Sequence, residues 1–134
     1  MAAMSDAEEE FSLPELSPEL EAELSAETGP VLVADRDGVI LFINEAAASF
    51  FGYGKDDLWG EYVEVLLPKN LRWGHQRYRM GFWAEPSEKP MAIGMELEAL
   101  HKDGELKRMD QIDLKPIDLD GNQAIICYVR LPQA

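Results

Sequence analysis

The sequence predicts an α+β fold: two strands, three short helices, then three strands, with a further helix in front. Three observations carry this. The apolar runs Val31 to Ala34 and Val39 to Ile43 are joined through Arg36-Asp37-Gly38. Asp-Gly between such runs is a strong hairpin signal, because both positions tolerate positive φ. Met91, Ile93, Met95, Leu97 and Ala99 alternate with residues that include Glu96 and Glu98, the period of a strand with one buried face. Leu71, His75, Tyr78 and Phe82 recur at i, i+4, i+7 and i+11, an inward-facing helical stripe.

The elements follow in order. Residues 1–11 have the composition of a solvated, unstructured segment. Leu13, Leu16, Leu20 and Leu24 then fall on one helical face. Ser17-Pro18 starts that helix, with an N-cap hydroxyl and a proline at the first helical position, and Thr28-Gly29-Pro30 ends it. So short a helix cannot bury a leucine stripe alone. It must pack on the domain or on a second copy, and packing across a homodimer is expected. The chain divides into an acidic tail with a flanking helix, residues 1–29, and one folded domain, residues 30–134.

After the first hairpin, Asn44 caps a helix from Glu45 to Phe51 that buries Ala46, Ala47, Phe50 and Phe51, and Gly52-Tyr53-Gly54 stops it. Lys55 to Gly60 reads as one helical turn, and Leu66-Leu67-Pro68 as a buried corner. In the helix over 69–83, Arg72, Arg77 and Arg79 sit off the stripe. Gly74 and Gly81 each weaken it by about 1 kcal/mol relative to alanine. Lys102-Asp103-Gly104 turns the chain into a strand carrying Met109, Ile112 and Leu114, and Asp118 to Asn122 turns it again into Ala124 to Leu131.

Composition excludes several classes of function. With 134 residues and 46% hydrophobic content the chain supports one core. No apolar run approaches the roughly 18 residues of a membrane span, and Met1 to Asp6 lacks the basic and apolar regions of a secretory signal. A cytoplasmic location is expected. The net charge is −14, and residues 1–30 hold nine acids with no Lys or Arg. No basic stripe stands out that would follow a phosphate backbone, so nucleic acid is not an expected partner. The single cysteine, Cys127, excludes an internal disulfide and a cysteine-based zinc cluster. Gly-x-Ser-x-Gly, a phosphate loop, a dinucleotide fingerprint and His-Glu-x-x-His are all missing, and Asp56-Asp57 lie on a surface turn. Catalysis is therefore not expected.

The order of elements, with these turns, resembles the PAS family. The resemblance runs through Ala34-Asp35-Arg36-Asp37-Gly38-Val39-Ile40, Asn44-Glu45-Ala46-Ala47 and Phe51-Gly52-Tyr53-Gly54. It continues through Leu58-Trp59-Gly60, Leu66-Leu67-Pro68, Leu71-Arg72 with His75, and Glu96-Leu97 with Lys102-Asp103-Gly104. Each stretch is short, and their order and spacing make the match specific. The resemblance implies a five-stranded antiparallel sheet with short helices closing one face. It also implies a cavity that in family members holds heme, flavin, an organic acid or nothing, and an output to an effector such as a kinase or cyclase domain. The chain departs from the family pattern in two places. Glu105 to Lys115 has one residue more than the usual spacing, which implies a bulge or an exposed edge. The chain also stops just after Leu131, so the output comes from a partner or the chain is a piece of a longer protein.

The expected function is sensing and signal transduction through ligand-linked or partner-linked dimer rearrangement. The alternative is a constitutive protein–protein docking module with a filled core. A second alternative, heme-based gas or redox sensing, rests on His75, because the stretch from Leu66 to Tyr78 is similar to the helix that carries the iron ligand in heme-binding PAS oxygen sensors. On that resemblance Leu71, Tyr78, Phe82, Met91, Ile93, Met95 and Ile112 join His75 around the ligand, with Met95 standing where those sensors carry a distal arginine. The other reading of His75 is a structural histidine satisfied by a hydrogen bond. Met80, Met91, Met95 and Met109 read as core or interface filler. Trp59, Trp73 and Trp83 are pocket walls or dimer anchors, His101 is expected to be exposed, and Cys127 to be a buried inert thiol. The Asn-Cys-Arg-Phe-Leu-Gln motif of the light-sensing branch is absent, which excludes covalent flavin photochemistry.

Overall fold

The computed structural model describes residues 13–91 and 97–132, with Met91 described by its backbone alone. The acidic segment before Leu13, and Ile93 and Met95, lie outside the described residues. The elements are α1 (Pro18–Ser25), β1 (Val31–Asp35), β2 (Ile40–Ile43), α2 (Glu45–Phe51), the 3-10 turns Val63–Leu66 and Lys69–Leu71, and α3 (Arg72–Phe82). They are followed by β3 (Lys89–Met91), β4 (Leu97–Leu100), β5 (Leu106–Met109), β6 (Gln111–Leu119) and β7 (Asn122–Arg130). The main sheet is antiparallel in the order β2-β1-β7-β6-β3, and β4 pairs with β5 beside it. The strand expected from Met91 to Ala99 is described at its two ends. Its alternation holds at the second, where Ala99 is buried and Glu98 exposed.

The first hairpin is tighter than an Asp-Gly turn alone requires. Only Gly38 takes a positive φ, +86°, while the Asp35 carboxylate accepts hydrogen bonds from the Asp37 and Val39 amides, both at 2.9 Å. The last hairpin does use both positions, Asp120 at φ 52° and Gly121 at 89°. The extra residue between Glu105 and Lys115 appears as a break at Asp110, which separates β5 from β6 and donates its amide to the Arg130 carbonyl. Lys55 to Gly60 forms an irregular turn with Leu58 buried, not a helical turn, and the Asp57 carboxylate accepts from the Gly54 amide.

The sheet is covered on both faces. Leu32, Ala34 and Val129 point to the inner side, where Phe51, Leu58 and Leu66 close over them. Val31, Val33, Ala124 and Ile126 point outward, against Leu24 of α1, with Leu13, Leu16 and Leu20 beside it. Leu24 is thus buried and Leu13, Leu16 and Leu20 half-buried on their own domain's sheet, and Leu13 and Leu16 precede the helix instead of sharing its face. Burying one such leucine fully contributes about 1.5–3 kcal/mol.

Asn44 ties these layers together. It is 1% exposed, and its Oδ1 accepts from the Val31 and Ala47 amides, capping α2 and pinning the start of β1. Its Nδ2 donates to the carbonyls of Leu24 and Gly29, at the end of α1 and just beyond. α2 ends at Gly52, φ +82°, over which the His101 ring packs so closely that a Cβ there would collide with it. His101 is therefore half-buried rather than exposed. Among the described residues no helix is long and apolar enough to cross a membrane.

Candidate ligand cavity

A cavity of about 100 Å³ lies between α3 and the inner face of the sheet. Leu32 and Ala34 of β1, Ile112 and Leu114 of β6, and Ile125, Cys127 and Val129 of β7 form its floor. These residues converge because the register sets Leu32 and Leu114 on either side of Cys127, and Ala34 opposite Ile125. Phe51, Val63, Leu66 and Leu67 close one end, and His75, Tyr78, Arg79, Phe82 and Trp83 form the roof. Phe82 and Trp83 stack edge to face at 5.3 Å and seal the roof against Leu114.

Of the residues the sequence singled out for a ligand, His75, Tyr78, Phe82 and Ile112 line this space. Leu71 does not. It is 49% exposed, because it belongs to the 3-10 turn Lys69–Leu71 and not to α3, and the tighter turn breaks the helical spacing. The inward side is therefore His75, Arg79 and Phe82, with Tyr78 at the cavity's rim, 41% exposed, and Arg79, expected on the outer side, faces in. Met91's side chain, Ile93 and Met95 lie outside the described residues. Met109 is buried on the cavity wall, whereas Met80 is 71% exposed and fills no core. Trp83 is a pocket wall, while Trp59 and Trp73 are exposed.

Glu64, which sequence reasoning passed over, holds the roof in place. It is 4% exposed, and its carboxylate accepts from His75 Nδ1 at 2.6 Å and from the Arg79 guanidinium through two bonds of 3.2 Å. One signal was available: Glu64 is a lone charge inside Tyr62-Val-Glu-Val-Leu-Leu-Pro68, a run too apolar to leave it in water. Arg79 lies across Gly38, where a Cβ would collide with the guanidinium, so the hairpin glycine also makes room for the ion pair.

Because Glu64 accepts, Nδ1 carries the hydrogen, and in the neutral ring Nε2 remains as an acceptor on a residue that lines the cavity. This is also how an imidazole is oriented when it serves as a metal ligand, so the donor suits a heme iron. The space does not match as readily. At about 100 Å³ it falls below the roughly 300–1,000 Å³ of pockets that enclose drug-sized ligands. Among the described residues there is no cluster of three or more His, Cys, Asp or Glu side chains that could hold a bare metal ion. Burial pushes the Cys127 thiol up to about 12, so it borders the cavity as a neutral, non-nucleophilic group.

Comparison with known proteins is decisive for the family: the model of the PAS fold matches residues 19–111. The chain belongs to the PAS family. The oxygen sensor protein DosP of Escherichia coli (strain K12) is 28% identical over 102 residues, which is 76% of this chain and 12% of that protein. The chain thus spans about an eighth of that relative. Among solved structures, the PAS domain of an HTR-like protein from Haloarcula marismortui superposes with a TM-score of 0.68 at 19% identity, covering 97% of this chain and 98% of that one. The PAS domain of the RpfR quorum-sensing receptor from Cronobacter turicensis, in complex with BDSF, gives 0.64 at 16%, covering 81% and 98%. The PAS domain of Bordetella pertussis BvgS gives 0.66 at 16%, covering 86% and 85%. PAS domains are sensory modules of signalling proteins, sensor kinases among them. Within this PAS fold, β1, β6 and β7 form the floor and α3 the roof just described.

Proposed function

We propose that this PAS domain senses a small, largely apolar molecule bearing one hydrogen-bond donor, held between α3 and the sheet. The observation that carries the reading is the apolar cavity with one imidazole on its wall, oriented by Glu64 and left with an acceptor nitrogen. A ligand hydroxyl, amide or carboxylic acid meets Nε2, and its apolar part meets Ile112, Phe82 and Cys127. The bound receptor domain from Cronobacter and the oxygen sensor from Escherichia coli support sensing as the general role.

Occupancy acts on the signal only through differential affinity for two packings. The route runs from the cavity floor through β1 and β7 to Asn44 and α1, which share one hydrogen-bonded centre. The partner surface is a second copy, meeting through α1 where it lies over the outer sheet, and the effector is a kinase or cyclase domain. A second reading, heme-linked sensing with His75 as iron ligand, is favoured by the Nδ1–Glu64 bond. It requires more room than the cavity has.

Native mass spectrometry and an absorbance scan of untreated protein test this. The expected result is a retained small molecule, lost on His75→Ala or on filling the floor with Ile125→Trp, and no porphyrin band. A porphyrin band that disappears with His75→Ala transfers the site to heme. No retained molecule in repeated preparations leaves a docking module with a filled core.

A further inference from the structure

The outer face of α3 is a basic, aromatic surface within an acidic protein. Residues 69–84 hold Lys69, Arg72, Arg77 and Arg79 and not one Asp or Glu, a charge of +4 in a chain of −14, which leaves −18 for all the rest. Arg79 is consumed by Glu64, and Arg72 is half-buried and donates to the Leu67 and Val65 carbonyls, but among the described residues Lys69, Arg72 and Arg77 have no carboxylate within ion-pair distance. Trp73, Arg77 and Met80 fall at i, i+4 and i+7 and share one side of the helix. Trp73 is 68% and Met80 71% exposed, and the Arg77 guanidinium stacks 5.0 Å from the Trp73 ring. A helix whose inner side roofs a cavity does not need two large apolar side chains in water on its outer side. Such a patch marks a contact surface.

We infer that this face docks the chain's own N-terminal segment, residues 1–12. That segment carries Asp6, Glu8, Glu9 and Glu10 with no base, and ends in the apolar Phe11 beside Ser12. Its acids match the three basic side chains, and Phe11 or Met4 supplies an apolar group for Trp73 and Met80. The reach suffices. The segment joins Leu13, which packs on the outer face of the sheet, and α3 lies over the inner face. Layers about 10 Å apart put the two helices about 20 Å from each other. Twelve extended residues cover about 40 Å. The rest of the chain carries a net negative charge, so charge directs the segment to this face.

The test uses the whole 134-residue chain throughout, reading hydrogen exchange over Arg72–Phe82 and acrylamide quenching of Trp73. Neutralising the segment (Asp6→Asn, Glu8→Gln, Glu9→Gln, Glu10→Gln) is expected to accelerate exchange there by about threefold or more. Raising the salt concentration is expected to do the same. Lys69→Glu with Arg77→Glu reproduces the effect, and combining it with Glu8→Lys, Glu9→Lys and Glu10→Lys restores protection, which loss of folding would not. Exchange and quenching that ignore all these changes overturn the inference. Protection that grows with protein concentration also overturns it, by assigning the face to the segment of a second copy.

Discussion

His75 Nδ1 lies 2.6 Å from Glu64 Oε2, and the same carboxylate receives the Arg79 guanidinium. One buried acid on a 3-10 turn thereby holds two adjacent turns of α3 and sets the height of the roof over the cavity. A charge buried in this way is tolerated because it is paired, and removing a partner exposes the cost of burial.

Arg79→Ala should therefore lower the unfolding free energy by about 2–4 kcal/mol, somewhat less than the 3–5 kcal/mol of a fully buried pair because Arg79 keeps some solvent contact and His75 remains. Glu64→Gln should cost a similar amount, since both carboxylate oxygens accept and the amide nitrogen would meet a donor in place of one of them. Urea denaturation measures both, and equal midpoints for wild type and Arg79→Ala would show that the pair does not support the roof.

Asn44→Ala removes the α2 cap, worth about 1 kcal/mol, and strands the buried Val31 amide and the Leu24 and Gly29 carbonyls. The expected total is about 2–4 kcal/mol. Because the Nδ2 bonds hold the end of α1, the loss is expected to be local as well as global. Limited proteolysis should cut between Ser25 and Pro30 in the variant well before the domain unfolds. Resistance equal to the parent's would remove Asn44 from the route between sheet and helix.

Gly38→Ala meets two obstacles, a positive φ and the guanidinium of Arg79. A strained position of this kind costs about 1–3 kcal/mol. The displaced arginine should also loosen its hold on Glu64, so Gly38→Ala and Arg79→Ala are expected to be less than additive in a double-mutant cycle. Full additivity would mean that Arg79 does not depend on the bare backbone beneath it.

The Cys127 thiol provides a pH test. Its folded value of about 12 lies above the ordinary 9.0, so the folded state keeps the proton that the unfolded state gives up. Stability from this group is fully present below pH 9 and declines as pH rises toward 12, at up to about 1.4 kcal/mol per pH unit. Tyr128 is also raised by burial and contributes in the same direction. Comparing Cys127→Ala with the parent isolates the thiol. The variant should lose less stability between pH 9 and 11, and native Cys127 should resist alkylation at neutral pH. Rapid labelling of folded protein would contradict both.

Much of the fold was legible because it is written in local chemistry. The Asp-Gly turns, the Asn44 cap and the alternation ending at Ala99 each depend on residues within a few positions of one another. The periodicity carries the α3 stripe one turn too far, since no local signal marks where the 3-10 turn at Leu71 passes into α-helix. The spacing sets Arg79 off the stripe. Its inward turn depends on Glu64, 15 residues earlier, and on the absence of a side chain at Gly38.

The sequence by itself determined the strand and helix order, the family and the likeness of the His75 helix to a ligand-bearing one, because turn chemistry and periodicity are short-range. Only the tertiary structure decided that α1's leucines cover their own sheet, that His75 is held by a buried acid, and that the cavity is about 100 Å³. These depend on how separate layers pack, and packing sums many contacts between residues far apart in the chain, none of which any one segment encodes.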